Sequence, residues 1–339
     1  MPFRIIRNDI TKVEADIIVN TANPNPRIGS GTDYAIYNAA GKEKLLAERK
    51  KIGTIKRGEI AVTPAFGLKA KYIIHAVGSG WIDGNHNEID IVKSCYAKSL
   101  AKALELSAKS IAFPLISSGN YEFPKSKALE IAISEIGDFL LANDMTVLLV
   151  VFDITSFELS KSLATDIDEY IDSKNVKLIE TAEYGWERQK RRIKEERPEA
   201  FIPSINNKEL IDFIEGKELD DLLKNAEESF QEYLFKLIDE RHIDDVTVYK
   251  KANITRSVFS QIRCKRNYKP KKTTAVALSI SLKLDMSTML KLLSKAGLAF
   301  SSHDKFDLII SYFVNKGIYD INTINTVLFK YEQPLLGAI

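Results

Sequence analysis

Cysteine is nearly absent from this chain. Cys95 and Cys264 are the only two in 339 residues, and they lie far apart. That excludes a disulfide framework and fits a reducing cytoplasm. Histidine is equally sparse. His75, His86, His242 and His303 are scattered, no pair has ligand spacing, and no metal site is read. No uninterrupted apolar run reaches the roughly 18 residues of a membrane span. The opening Met1–Ile5 goes straight into a strand-like run, without a secretory apolar region or cleavage site. Net charge is only +2, so the chain as a whole is no polycation. With 45% apolar and 28% charged residues it has a globular balance, and 339 residues leave room for two domains at about 150 each.

The most informative stretch is Asn20-Thr21-Ala22-Asn23, followed by Gly29-Ser30-Gly31-Thr32-Asp33. Val13–Val19 has the apolar, β-branched character of a buried strand, and Asp33–Ala40 reads as a helix. Glycines let backbone N–H groups approach an anion, and a helix N-terminus adds about half a positive charge. The loop lacks the G-x-G-x-x-G and G-K-[ST] patterns, so it reads as a phosphate or diphosphate cradle without a chosen ligand. A second loop, Leu115–Pro124, leaves the strand Ile111–Pro114 and precedes a helix from about Lys125. Two such loops at one sheet edge would clasp a diphosphate from both sides. Alternating strand-like and helix-like runs through about residue 175 predict helices on both faces of a sheet.

Together these segments resemble the macrodomain family, which binds ADP-ribose. The matching pieces, in family order, are Asn8-Asp9-Ile10-Thr11, the Asn-x-Ala-Asn run, the glycine loop ending in Asp33–Ile36, His75–Gly78, Ser117–Tyr121 and Val151–Asp153. The resemblance implies a three-layer α/β/α macrodomain with a mixed central sheet over 1–182. It implies catalytic roles for Asn23, bonded to the distal ribose, and Asp33, which positions or polarises a water there. It implies that Asp9 and the backbone of Ile10 hold the adenine and that Phe152 stacks on it. Gly29, Ser30, Gly31, Ser117, Ser118, Gly119, Asn120 and Tyr121 would hold the diphosphate and ribose, with a serine hydroxyl facing them. The implied activity is that of an ADP-ribosyl hydrolase of the glycohydrolase type, removing mono-ADP-ribose from modified protein or nucleic acid without a cofactor. A non-catalytic ADP-ribose reader and a nucleotide-sensing DNA-binding regulator are the alternatives. Plainer roles stand beside these: turn chemistry for Asn20 and Asn23, dipole compensation for Asp33, a turn carboxylate for Asp9, a core aromatic for Phe152 and a structural histidine for His75. Ser30 interrupts the glycines, Pro24 and Pro26 stiffen the loop, and Glu122 beside a diphosphate has to point outward.

Residues 183–208 form a charge-dense connecting segment, helix or linker, and 209–339 carries helical apolar spacing throughout. Lys250–Lys272 holds nine basic residues and no acid, whereas Glu209–Asp245 holds thirteen acids against four basic residues. Val246–Ala252, Asn253-Ile254 and Thr255–Arg263 read as helix, turn, helix, with Thr255 as N-cap. This segment resembles a helix-turn-helix of the lambda-repressor/Cro-like type, over about 228–298 of an all-α domain. The resemblance implies DNA or RNA contact through Arg256, Ser257, Gln261, Arg263, Lys265, Arg266, Lys269 and Lys271, with Tyr268 available to stack on a base. A helical interaction module without nucleic acid is the plainer alternative.

Overall fold

The computed structural model describes residues 3–119, 121–152, 163–172, 228–265 and 268–337. The strand Val176–Ile179 and the segment 183–208 expected from sequence lie outside the described residues, as does the first part of the helix expected over Phe157–Ile171.

Six strands form one sheet: β1 (Phe3–Arg7), β2 (Ile17–Thr21), β3 (Ile60–Pro64), β4 (Tyr72–Ala76), β5 (Ser110–Pro114) and β6 (Thr146–Val151). Their spatial order is β1-β6-β5-β2-β4-β3. Every pair is parallel except β3 with β4, so the sheet is mixed. The helices are α1 (Thr32–Ala40), α2 (Lys42–Ile52), α3 (Glu88–Glu105) and α4 (Lys125–Ala142). Side chains alternate across a strand, and both faces of the central strands are covered. Ile17, Val19, Ile111 and Phe113 share a core with Val92, Leu100 and Ile136 of α3 and α4. Ile18, Ile73 and Ala112 face the other way, against Ile36 and Tyr37 of α1 and Leu45 of α2. That is why these strands read as continuous apolar runs.

Beyond the sheet the described residues are helical. A helix covers 163–172 (α5). It is followed by α6 (Phe230–Glu240), α7 (Asp245–Lys251), α8 (Arg256–Cys264), α9 (Lys272–Ser281), α10 (Met286–Lys295), α11 (Lys305–Asn315) and α12 (Ile321–Lys330). Side-chain caps open most of them: Ser229 with Glu232 in a capping box, then Asp244, Thr255, Asp285, Asp304 and Asp320. Every residue of α9 from Thr274 to Ser281 is buried, so it is the central helix of a second core.

The helical half sits on the sheet's β1 edge. The turn between α7 and α8 presents Asn253, in the left-handed region at φ 53. Its Oδ1 accepts from the Phe3 N–H at 2.8 Å and its Nδ2 donates to the Phe3 carbonyl at 2.9 Å. One side-chain amide thus pairs both polar groups of an edge-strand residue. Lys250 Nζ donates to the Leu141 carbonyl at the end of α4, at 3.0 Å. A cleft of about 1040 Å³ opens between α4 and the helical half, and among the described residues none at the carboxyl end of a strand lines it. Among the described residues no helix is long and apolar enough to cross a membrane.

Candidate functional site

Parallel pairing of β1, β6, β5, β2 and β4 brings their carboxyl ends to one edge, where five loops meet. Reading across that edge, β1 leads to Asp9, β6 to Phe152, β5 to Ser117–Tyr121, β2 to Asn23–Gly31 and β4 to Val77–Gly80. At about 4.8 Å per strand, the Asp9 loop and the Asn23 loop stand three strands, roughly 14 Å, apart.

At the β1 and β6 end, the Asn8 N–H donates to the Val151 carbonyl at 3.1 Å. This ties the Asp9 turn to the strand that carries Phe152. Asp9 caps the short turn Ile10–Lys12, with Oδ1 accepting from both the N–H and the hydroxyl of Thr11. The Thr11 hydroxyl and N–H hold its carboxyl below the ordinary value against a smaller effect of burial. Both bonds fall on Oδ1; Oδ2 accepts from no group among the described residues. Phe152 is 78% exposed, which removes the core-aromatic reading and leaves an open ring face at the strand end.

The first loop is built around Asp33, which is 3% exposed. Its Oδ1 accepts from Asn20 Nδ2 at 2.6 Å and its Oδ2 from the Gly29 N–H at 2.6 Å. Burial pushes its carboxyl above the ordinary value, opposed by those two bonds and by the Arg49 charge. Asn23 is brought against the same point. A Cβ at Gly29 would lie 2.5 Å from Asn23 Nδ2 and 3.0 Å from Asp33 Oδ2, so any larger residue has to push the Asn23 side chain aside. Gly31, at φ 60, is the N-cap of α1 and offers no side chain to cap it. First-turn N–H groups and the positive end of the dipole therefore face the loop.

Arg49 is the residue that sequence reasoning missed. It stands in the charged run of α2, yet it is 1% exposed. Its guanidinium donates to the carbonyls of Gly53 at 2.7 Å and of Asn23 and Pro24, both at 3.2 Å. The clue in the sequence is its position four residues after Leu45, on the buried face of the helix.

The second loop lies against the exit of β4. Ser117, at φ 66, is buried, and its Oγ accepts from the Ser79 N–H at 3.1 Å. The Ser118 hydroxyl donates to the Leu115 carbonyl at 2.8 Å. The Ser118 hydroxyl is thus spent on the protein backbone, whereas Ser117 Oγ only accepts, so its own O–H is the one left to face a ligand. Tyr121 is half-buried, with the Arg57 guanidinium 6.0 Å over its ring, and Arg57 also donates to Ser79 Oγ at 3.3 Å. Glu122 is exposed. Asn120 lies outside the described residues.

His75, next to the last residue of β4, is fully buried, 2.9 Å from Thr63 Oγ1 and 3.3 Å from Asn20 Nδ2. Burial, with a smaller push from the Arg49 charge, holds its imidazole down at about 3. Asp83, His86 and Glu88 also cluster. There the Glu88 carboxylate accepts four backbone N–H groups, from Ile82, Asp83, Gly84 and His86, and serves as a loop latch.

In the helical half Arg256, Ser257, Gln261, Lys265, Lys269 and Lys271 are exposed on or just beyond α8. Arg263 is engaged instead. It pairs with Asp245 at 2.6 Å and lies 4.3 Å over the Phe235 ring. Tyr268 is partly buried and packs against the helical core. Arg266 lies outside the described residues.

Comparison with known proteins places this geometry. The model of the Macro domain family matches residues 19–132. A "Macro domain-containing protein" of Methanosarcina mazei is 42% identical over 166 residues, covering 48% of this chain and 88% of that protein. An "O-acetyl-ADP-ribose deacetylase" of Citrobacter rodentium is 40% identical over 166 residues, covering 48% of this chain and 94% of that protein. A solved Oceanobacillus iheyensis macrodomain with ADP is 34% identical, covers 45% of this chain and 85% of its own, and has a TM-score of 0.44. Each match takes in less than half of this chain and most of the relative. With relatives about 40% identical and covered nearly end to end, the chain belongs to the Macro domain family.

Proposed function

We propose that the sheet-containing half binds ADP-ribose along the strand ends and hydrolyses a bond at its distal ribose, releasing mono-ADP-ribose from modified protein or nucleic acid. The observation that carries this reading is the convergence of Asn23, Gly29 and Asp33 at the uncapped N-terminus of α1. Adenine lies between Asp9, the backbone of Ile10 and Phe152. The diphosphate crosses between the Gly31 end of the first loop and the Ser117–Tyr121 loop. The distal ribose reaches Asn23, which bonds a ribose hydroxyl. On an ester linkage, Asp33 accepts a proton from the water that attacks the acyl carbon, the acyl C–O bond to the ribose breaks, and the proton passes to the departing ribose oxygen, a contribution of about a hundred- to ten-thousandfold. The deacetylase name of relatives such as the Citrobacter rodentium protein supports hydrolysis of an ester on this sugar.

One observation favours the second reading, a reader without turnover. Each Asp33 oxygen already accepts one bond and the carboxyl is almost fully buried. Incubation of a mono-ADP-ribosylated protein with wild type and Asp33→Ala separates the two. Release by wild type alone supports the hydrolase. Calorimetric binding of ADP-ribose without release supports the reader, and absent binding removes both.

The helical half serves as a targeting module that contacts nucleic acid. The open face of α8, with Arg256, Ser257 and Gln261, supports base-edge contact, and Lys265, Lys269 and Lys271 support phosphate contact. Binding to DNA and RNA oligonucleotides that falls steeply with salt supports this; absent binding contradicts it.

A further inference from the structure

Asn20 lies next to the last residue of β2, the strand that leads to the site, and the preceding Ile18 and Val19 are apolar core residues. It is equally buried, and its amide is aimed with care. Nδ2 donates to Asp33 Oδ1 at 2.6 Å and lies 3.3 Å from His75 Nδ1 on β4. An amide nitrogen only donates, so His75 Nδ1 is the acceptor and the ring proton sits on Nε2. That proton points at Thr63 Oγ1 on β3, 2.9 Å away. The Oδ1 of Asn20 accepts from no group among the described residues. Turning the amide over would set that oxygen against the Asp33 carboxylate. The chain leaves one buried acceptor unpaired so that both N–H groups keep their targets, an arrangement for which packing alone gives no reason.

We infer that Asn20, oriented by His75 and Thr63, is a positioning residue for Asp33. It aims the carboxylate at the Asn23–Gly29 loop and stabilises its ionised form in a buried setting. The inference rests on the reading of Asp33 as the proton-accepting group. The ionisable groups around Asp33 are few. Tyr37 on its own helix is pushed up to about 12 by burial and by Asp33 itself. His75 is neutral and reaches Asp33 only through Asn20. Arg49 of α2 contributes a positive charge that favours the ionised carboxylate. Asn20 and the Gly29 N–H are the donors in direct contact.

The test is an NMR titration of the Asp33 side-chain carboxyl in wild type, Asn20→Ala and Thr63→Val, alongside the pH profile of ADP-ribose release. A hydrogen bond to a charged group is worth about ten- to a hundredfold in proton affinity. Asn20→Ala is expected to raise the Asp33 midpoint by roughly one to two pH units, and to move the acidic limb of kcat/KM up with it. Thr63→Val, nearly isosteric and two bonds away, moves both in the same direction by less. If Asn20→Ala does not fold, Thr63→Val decides. Folded variants with an unchanged Asp33 midpoint overturn the inference. Absence of release by wild type would sink the hydrolytic reading instead, while the titration would still decide the role of Asn20.

Discussion

Asp33 is held between opposing influences. Burial favours its neutral form, and the Asn20 and Gly29 donors favour its ionised form. A carboxyl lifted above its ordinary value is a better proton acceptor near neutrality than an exposed one. Asp33→Ala is therefore expected to cut ADP-ribose release by about a hundred- to ten-thousandfold, measured under saturating substrate. His75 gives a second prediction, on stability. Its folded value of about 3 lies below the ordinary 6.5. The unfolded chain takes up a proton between those values and the folded chain does not. Stability is fully present above about 6.5 and is lost as pH falls toward 3, by up to about 1.4 kcal/mol per unit. Asp33, with a raised value, acts in the opposite sense as pH falls and offsets part of this. Urea melts between pH 7 and 4 are expected to show this decline in wild type and a flatter one in His75→Gln.

At the level of elements, the site is a loop held in shape from behind. Arg49 fixes the carbonyls of Asn23, Pro24 and Gly53, and glycine at position 29 lets Asn23 and Asp33 close on one another. Arg49→Met leaves three carbonyls without their donor and is expected to cost about 3 kcal/mol in urea unfolding. Gly29→Ala forces Asn23 away and is expected to weaken ADP-ribose binding at least tenfold by calorimetry, with folding retained. The strands, the glycine loop, the Thr255 cap and the α7–turn–α8 order were legible because each rests on local pattern. Arg49, Ser79 and the Asn20–His75–Thr63 chain were not, because their partners come from other strands and loops. The pairing of Arg263 was hidden for the same reason. A basic stretch does not disclose that one of its arginines is already paired with Asp245 over Phe235. Phe152 shows the converse, an apolar residue at a strand end whose exposure only the fold reveals.

At the scale of the molecule, two cores meet at a strand edge through the Asn253 amide and Lys250. The basic surface of α8 remains open in that arrangement. If it contacts phosphates, Lys269→Ala and Lys271→Ala are each expected to reduce the salt slope of nucleic-acid binding by about one. The proposed hydrolytic site lies in the other half. Its most direct test pairs ADP-ribose calorimetry with release from a protein mono-ADP-ribosylated on an acidic residue, for wild type and Asp33→Ala. Wild type is expected both to bind and to release ADP-ribose, and Asp33→Ala still to bind but to release it at least a hundredfold more slowly. Equal release by the two proteins, or none by a wild type that binds, would contradict hydrolysis at this site.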